Sequence, residues 1–331
     1  MYDIKYHDKD LSQYSFLVTG GAGFIGSNIV EYLLKYGAKK VRALDNLATG
    51  RISNLNDFNN NPAFEFMNGD IRDLATCRKA CEGINYVSHQ AALGSVPRSI
   101  KEPENTNAVN VDGFVNMLIA AKDEKVSKFV YASSSSVYGD EKSLPKVEEK
   151  IGNPLSPYAV SKYTNELYAK VFQNVYGLQI TGLRYFNIFG PRQDPNGEYA
   201  AVIPLFVSKI MKREVVFIDG DGEQTRDFTF VENAVQANVR AMLAATNETE
   251  AGVFNIAVGK NFSVNTLYND IQKLLKSDHK ATYRETRKGD IRNSLADISK
   301  AEKLIGYRPQ FYFDRGLAIT VDYFKGHFEK G

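Results

Sequence analysis

Phe16-Leu17-Val18-Thr19-Gly20-Gly21-Ala22-Gly23-Phe24-Ile25-Gly26 is the stretch that settles the fold class of this chain. Residues 16–19 have strand character and run straight into glycines at 20, 23 and 26, after which 27–36 is amphipathic at helical spacing. A buried strand, a tight glycine turn and a helix, in that order, form the context that a dinucleotide-binding loop requires. The glycines permit the turn and a close backbone approach, so a pyrophosphate can rest on the amino end of the helix. The spacing is Gly-x-x-Gly-x-x-Gly and not the Gly-x-Gly-x-x-Gly of many dehydrogenases, and a glycine loop alone does not fix a function.

Outward from that loop the alternation continues. Short β-branched and aromatic runs at 16–19, 41–45, 64–68, 86–91, 129–133 and 180–185 read as buried strands separated by helical stretches. This predicts an α/β fold on a Rossmann-type, doubly wound parallel sheet. After Tyr185 the pattern breaks into turn chemistry at Gly190-Pro191, Asp194-Pro195-Asn196-Gly197 and Asp219-Gly220-Asp221-Gly222. A smaller, mixed α/β carboxy-terminal lobe for substrate is expected there. The division so read gives 1–187 and about 228–257 to the dinucleotide domain, and about 188–227 and 258–331 to the lobe. Two apolar stripes at helical spacing, Val111-Phe114-Leu118-Ala121 and Val160-Tyr163-Leu167-Val171, serve either the chain's own sheet or a homodimer seam.

At 331 residues, 43% apolar and 24% charged, the chain can bury a sizeable core. A net charge of +2 gives no basic surface for nucleic acid. Residues 1–13 are polar and charged, so neither a signal peptide nor a membrane span is expected, and the cytoplasm is the expected compartment. Cys77 and Cys81 lack a second pair or clustered histidines, which argues for reduced structural thiols and no metal site.

Tyr158-Ala159-Val160-Ser161-Lys162 sets a phenol and an ammonium one helical turn apart on one face. A phenol, with its ordinary pKa of about 10, accepts a proton readily at neutral pH only where positive charge lowers that value, at about 1.4 kcal/mol per unit. One lysine is insufficient, and a nicotinamide cation is the natural second source. Asp45, at the end of the second expected strand, is placed to bind an adenosine ribose diol and repel a 2′-phosphate, which favours NAD over NADP despite nearby Arg51. Asp70, after the third strand, reads equally as an acceptor for the adenine amino group or as a helix cap. Ser133 to Ser136, followed by Val137-Tyr138-Gly139, place hydroxyls at the carboxyl edge of the sheet, where ligands bind in such folds.

A glycine fingerprint, an acid after strand two, a serine after strand five and Tyr-x-x-x-Lys, in that order, resemble the extended short-chain dehydrogenase/reductase family over about 16–316. The resemblance is closest to nucleotide-sugar 4-epimerases, and within them to those of UDP-N-acetylglucosamine. It is carried by His89-Gln90-Ala91-Ala92-Leu93-Gly94-Ser95-Val96-Pro97-Arg98-Ser99, by residues 155–162, and by Leu183-Arg184-Tyr185-Phe186-Asn187. It implies a tightly bound NAD regenerated in each turnover and a UDP-sugar oxidised at C4 to a 4-keto species, then reduced from the other face. Tyr158 is implied as base on the 4-hydroxyl, Lys162 as holder of the nicotinamide ribose, and Ser134 as the hydroxyl that shares the proton. Cofactor contacts are implied at Gly20, Gly23, Phe24, Ile25, Gly26, Asp45, Asn46, Thr49, Gly50, Asp70, Ile71, Gln90, Ala91, Ala92 and Tyr185, besides Tyr158 and Lys162.

For the substrate, the same likeness points to Gly94, Ser95, Arg98, Ser135, Ser136, Asn187, Gln193, Ala201, Val202, Val216 and Ile218. It adds Arg226 and Arg287 on the diphosphate, where a planar bidentate donor suits the role, and Asp290 on a ribose hydroxyl. Ser294 stands where relatives restricted to plain hexoses carry tyrosine and those accepting a 2-acetamido group carry a small residue. Arg98 keeps the uronates open as substrates, and UDP-glucose is a further alternative. Related 4,6-dehydratases and decarboxylases carry an acid just before the Val-Tyr-Gly; Ser135 and Ser136 occupy those positions here. A non-catalytic NAD sensor is the reading of another class, and the retained Tyr158 and Lys162 speak against it. The polar leader, residues 1–14, receives no chemistry.

Overall fold

The computed structural model describes residues 1–197, 200–245, 252–286 and 292–328. The first half alternates strand and helix: β1 (Ser15–Thr19), α1 (Phe24–Lys35), β2 (Lys40–Asp45), β3 (Phe64–Asn68), α2 (Leu74–Cys81) and β4 (Tyr86–His89). Then come α3 (Val96–Lys101), α4 (Pro103–Asn107), α5 (Gly113–Asp123), β5 (Lys128–Ser134), α6 (Pro157–Tyr176) and β6 (Ile180–Tyr185). The second half adds β7 (Ile188–Phe189), α7 (Val202–Met211), β8 (Phe217–Asp219), β9 (Thr225–Arg226), β10 (Thr229–Phe230) and α8 (Val231–Leu243). It ends with β11 (Val253–Ile256), β12 (Phe262–Ser263), α9 (Val264–Leu275), β13 (Thr282–Arg284), α10 (Ser299–Ile305) and α11 (Phe313–Phe328).

Seven strands form one parallel sheet in the order β11-β6-β5-β4-β1-β2-β3. The chain reverses direction across the sheet between β1 and β4, and a crevice opens beyond the carboxyl ends of strands at such a reversal. Helices cover both faces. Phe16 and Val18 enter a core beneath α1 and α8, while Leu17 between them enters the opposite core beneath α2 and α5. Each such fully buried side chain contributes about 1.5–3 kcal/mol.

The expected Rossmann-type sheet is present, with β11 as a seventh strand. Two boundaries move. α1 starts at Phe24, so the third glycine lies inside the helix, and β4 stops at His89 because Gln90 N–H bonds the Thr19 carbonyl at 3.1 Å while the Ala91 N–H turns to the Thr19 hydroxyl at 3.3 Å.

The smaller lobe is built from two-stranded pairs, β7 with β10, β9 with β12 and β8 with β13, around an aromatic core that includes Phe189, Phe228, Phe230 and Phe313. The expected assignment of 258–331 to this lobe needs correction. Ala301, Ile305 and Tyr307 pack into the core under the large sheet, and the Tyr307 hydroxyl donates to the Ala257 carbonyl at 2.7 Å. The leader belongs to that core too, through Tyr2, Tyr6 and Leu11. The α5 stripe is likewise core, since Phe114, Leu118 and Ala121 are buried within the chain. On α6, by contrast, Leu167, Val171 and Val175 stand 50%, 52% and 65% exposed.

Candidate active site

A cleft of about 480 Å³ lies along the carboxyl edge of the sheet, running from the glycine loop past β4 and β5 to Tyr185 and Gln193. Gly20 opens it with a left-handed φ of +64°, and a methyl group on Gly26 would collide with the Gly20 carbonyl oxygen. Only glycine satisfies both constraints. Gly23 caps α1 without a side chain, so the first-turn amides at Phe24, Ile25 and Gly26 lie against the cleft, an arrangement suited to a pyrophosphate.

Of the expected cofactor residues, all but Gly50 line this cleft. Gly50 sits behind it, where a side chain would press on the Asp45 carboxylate. Asp45 accepts the Ala22 and Leu47 amides at 3.0 and 2.7 Å, and burial raises its pKa. A buried acid of that kind gains from hydroxyl donors such as a ribose diol. Arg51 points away to Asp194 at 2.7 Å and does not line the cleft, consistent with NAD. Asp70 does not cap α2; Asp73 does. The Arg72 side chain on Asp70 lowers its pKa to about 2, with help from the Asn46 amide at 2.9 Å. Gln90 and Tyr185 are fixed together: the Tyr185 hydroxyl donates to Gln90 Oε1 at 3.1 Å and accepts from Asn238 at 2.6 Å.

The three expected catalytic groups, Tyr158, Lys162 and Ser134, meet on the cleft wall between β5 and α6. Tyr158 is the second residue of α6, whose N-cap Ser156 accepts the Ala159 amide, and the positive end of the helix favours an anion there. Burial raises the phenol pKa above its ordinary value of 10, and a hydrogen bond with Ser134 offsets part of that rise. Lys162 is buried, its pKa pushed down to about 8, and it donates to the Ala132 carbonyl at 2.8 Å. The lysine therefore binds the β5 backbone and does not by itself make the phenol acidic. Ser136 donates to the Ser134 oxygen through both its amide and its hydroxyl, at 3.1 and 3.0 Å, which orients Ser134.

Among substrate candidates, Gly94, Asn187 and Gln193 line the cleft. Asn187 has a left-handed φ of +38°, and Gln193 keeps a buried Oε1 without a partner, a ready acceptor for a ligand donor. Ser95 instead caps α3 by accepting the Arg98 amide at 3.1 Å, with Arg98 in the same short helix. Ser135 lies in the turn that carries Ser136 and outside the cleft lining. Ala201 and Val202 stand at the start of α7, Ala201 exposed. Val216 and Ile218 are buried in the lobe core, so their side chains serve packing. Arg226 is on β9, and the Ser294 amide bonds the neighbouring Thr225 carbonyl at 3.1 Å, bringing the two expected substrate residues alongside each other. Arg287 and Asp290 lie outside the described residues.

Several supporting groups carry no signal in the sequence reading. Asn110 sits in a π-helical turn, Ala108–Asp112, and its side chain ties the Leu93 backbone on one side to the Ser161 hydroxyl on the other at 3.1 Å. Behind Tyr158 and Lys162, Glu166 receives Arg184 in a bidentate pair, at 2.9 and 2.7 Å, and the Ser133 hydroxyl at 2.6 Å. His89 stacks on Phe129 beneath the site and bonds the Thr19 hydroxyl at 2.8 Å; burial, aided by the Lys162 charge, drives its pKa down to about 3, so it is neutral. Cys77 and Cys81 are buried thiols raised to about 12, and no metal-binding cluster occurs among the described residues. Nor is any described helix long and apolar enough to cross a membrane.

The sequence pattern described as "NAD dependent epimerase/dehydratase family" matches residues 16–257. The chain belongs to this family. It is 42% identical to a UDP-N-acetylglucosamine 4-epimerase from Methanobrevibacter ruminantium M1, solved with UDP-N-acetylmuramic acid, at a TM-score of 0.89 over 95% of this chain and 99% of that one. A putative UDP-glucose 4-epimerase of Methanocaldococcus jannaschii is 40% identical over 94% of this chain and 98% of its own length. The UDP-glucuronic acid 4-epimerase of Bacillus cereus, solved with its substrate and NAD, is 32% identical at a TM-score of 0.87 over 95% and 99% of the two chains. Members of the family depend on NAD, and the glycine cradle and Asp45 of this epimerase/dehydratase fit that dinucleotide.

Proposed function

We propose that this protein is a UDP-sugar 4-epimerase that interconverts UDP-N-acetylglucosamine and UDP-N-acetylgalactosamine, holds its NAD throughout, and works as a homodimer. The observation that carries the reading is the Tyr158, Ser134 and Lys162 cluster, beside which no carboxylate among the described residues lines the cleft. Among the described residues, the acids lining the cleft are Asp45 and Asp70. They stand at the ends of β2 and β3, at least three strand positions from β5, or about 14 Å. Elimination of water from a 4-keto sugar needs an acid or base near C5 and C6, and return of hydride does not. Hence epimerisation is the simpler outcome.

Bound NAD would supply a reversible hydride acceptor for C4. Tyr158 takes the 4-hydroxyl proton and gives it back, while Ser134, oriented by Ser136, holds the oxygen in line. Lys162, facing the cleft, would bind the nicotinamide ribose. Arg226, with Arg287 from outside the described residues, would hold the diphosphate, and Asp290 a ribose hydroxyl. The small Ser294 beside the strand of Arg226 leaves room for a 2-acetamido group, which supports the acetylated sugar over UDP-glucose.

Incubation of purified protein with UDP-N-acetylglucosamine should yield UDP-N-acetylgalactosamine by NMR, faster than it converts UDP-glucose or UDP-glucuronate. Ser294→Tyr should reduce kcat/KM for the acetylated substrate by at least about tenfold relative to UDP-glucose, the scale of a steric pocket effect. A 4-keto-6-deoxy product would instead make the protein a dehydratase. Turnover confined to the uronate would remove the acetamido reading.

A further inference from the structure

Residues 1–7 are tied to the dinucleotide helix from behind. Tyr2 is wholly buried and holds a left-handed backbone at φ +63°, a costly conformation for an aromatic residue that persists only where its surroundings enforce it. Its amide reaches Glu232 of α8 at 3.4 Å. The Tyr2 hydroxyl donates to Asn28 Oδ1 on α1 at 2.5 Å. Asn28, also fully buried, turns its Nδ2 to two carbonyls: Phe24 at 2.8 Å and Pro191 at 3.2 Å. Phe24 lines the cofactor cleft, and Pro191 belongs to the segment that carries Gln193 into the same cleft. Arg192 completes the attachment by donating to the Ser27 carbonyl at 3.2 Å and pairing with Glu31.

We propose that Tyr2, acting through Asn28, is a positioning residue for NAD retention. Asn28 can aim its Nδ2 at both carbonyls only while its Oδ1 faces the other way, and the Tyr2 hydroxyl fixes that orientation. The leader thereby joins the first turn of α1 to the 190–193 segment, two stretches that each contribute a residue, Phe24 and Gln193, to the lining of the cleft. A 4-epimerase returns its hydride before releasing product, so slow cofactor loss is a functional need of that reading; the proposal itself concerns only the rate of NAD release.

The test compares two variants of similar cost to the fold. Tyr2→Phe removes the hydroxyl that reaches Asn28. Tyr6→Phe removes another buried leader hydroxyl, whose partner is Glu232 Oε1 at 2.9 Å; it makes no hydrogen bond to Asn28 or Pro191, and the Tyr2 amide, which also bonds Glu232, is kept in both variants. NAD release is followed from the holoprotein by displacement of bound NADH fluorescence with excess NAD, beside a thermal melt. Tyr2→Phe is expected to release dinucleotide about three- to tenfold faster, the effect of one lost hydrogen bond, while Tyr6→Phe releases at the wild-type rate though its Tm falls comparably. Asn28→Ala, which deletes both links, should release at least as fast as Tyr2→Phe and serves if that variant does not fold. Wild-type release from Tyr2→Phe or Asn28→Ala, or equal acceleration in Tyr2→Phe and Tyr6→Phe, overturns the proposal.

Discussion

Tyr158 shows how far a single side chain can be understood without its ligand. Burial works against the phenolate, Ser134 works for it, and Lys162 spends its hydrogen bond on the β5 backbone. In the proposed mechanism, the charge that would make this tyrosine a base arrives with the oxidised dinucleotide. Subtracting the alkaline absorbance titration of Tyr158→Phe from that of the wild type isolates one phenol among the tyrosines. That phenol should titrate above its ordinary value of 10 without cofactor and lower once NAD is loaded, because an added cation favours the anionic form. The same variant should lose about 10²–10⁴ in turnover while NAD stays bound, the usual worth of a positioned proton carrier. A phenol that does not move on loading would contradict the mechanism.

Among the elements, β4 carries the most telling titration. His89 ends this central strand, neutral and stacked on Phe129, with a folded pKa of about 3 against an ordinary 6.5. Folding depresses the value, so the unfolded chain binds more protons between these limits, and the stability that neutrality confers is lost as pH falls from about 6.5 towards 3. In urea unfolding between pH 6 and 4, wild type should lose up to about 1.4 kcal/mol per pH unit more than His89→Gln. Parallel losses in both proteins would show that the ring charges freely. The strands and helices around it were legible because buried parallel strands are near-continuous apolar runs, and the glycine loop announces itself by spacing. Asn110 was not, since one extra residue in a helical turn leaves no mark on periodicity. Glu166 was not either: it falls one turn after Lys162, but its partner Arg184 comes from a neighbouring strand, and no local pattern encodes a pairing across 18 positions.

At the scale of the whole molecule, α6 has two characters. Its inner face holds Tyr158 and Lys162, and its outer face leaves Leu167, Val171 and Val175 open, an apolar ridge that in the proposed homodimer a second copy would cover. Val171→Asp should convert a species of twice the chain mass to the single chain in size-exclusion chromatography with light scattering; an unchanged mass would place the seam elsewhere. The sequence pattern named this ridge and the α5 stripe together, and only tertiary packing separates them, because a helix buried on its own sheet and one buried on a partner have the same periodicity. For a similar reason the leader read as inert: its tyrosines are interspersed with charges, and their burial depends on α1 and α8 meeting in space. That burial has a practical corollary. Any affinity tag fused ahead of Met1 must thread out beside a fully enclosed ring, and crowding there would show first as preparations that arrive from the column depleted of dinucleotide.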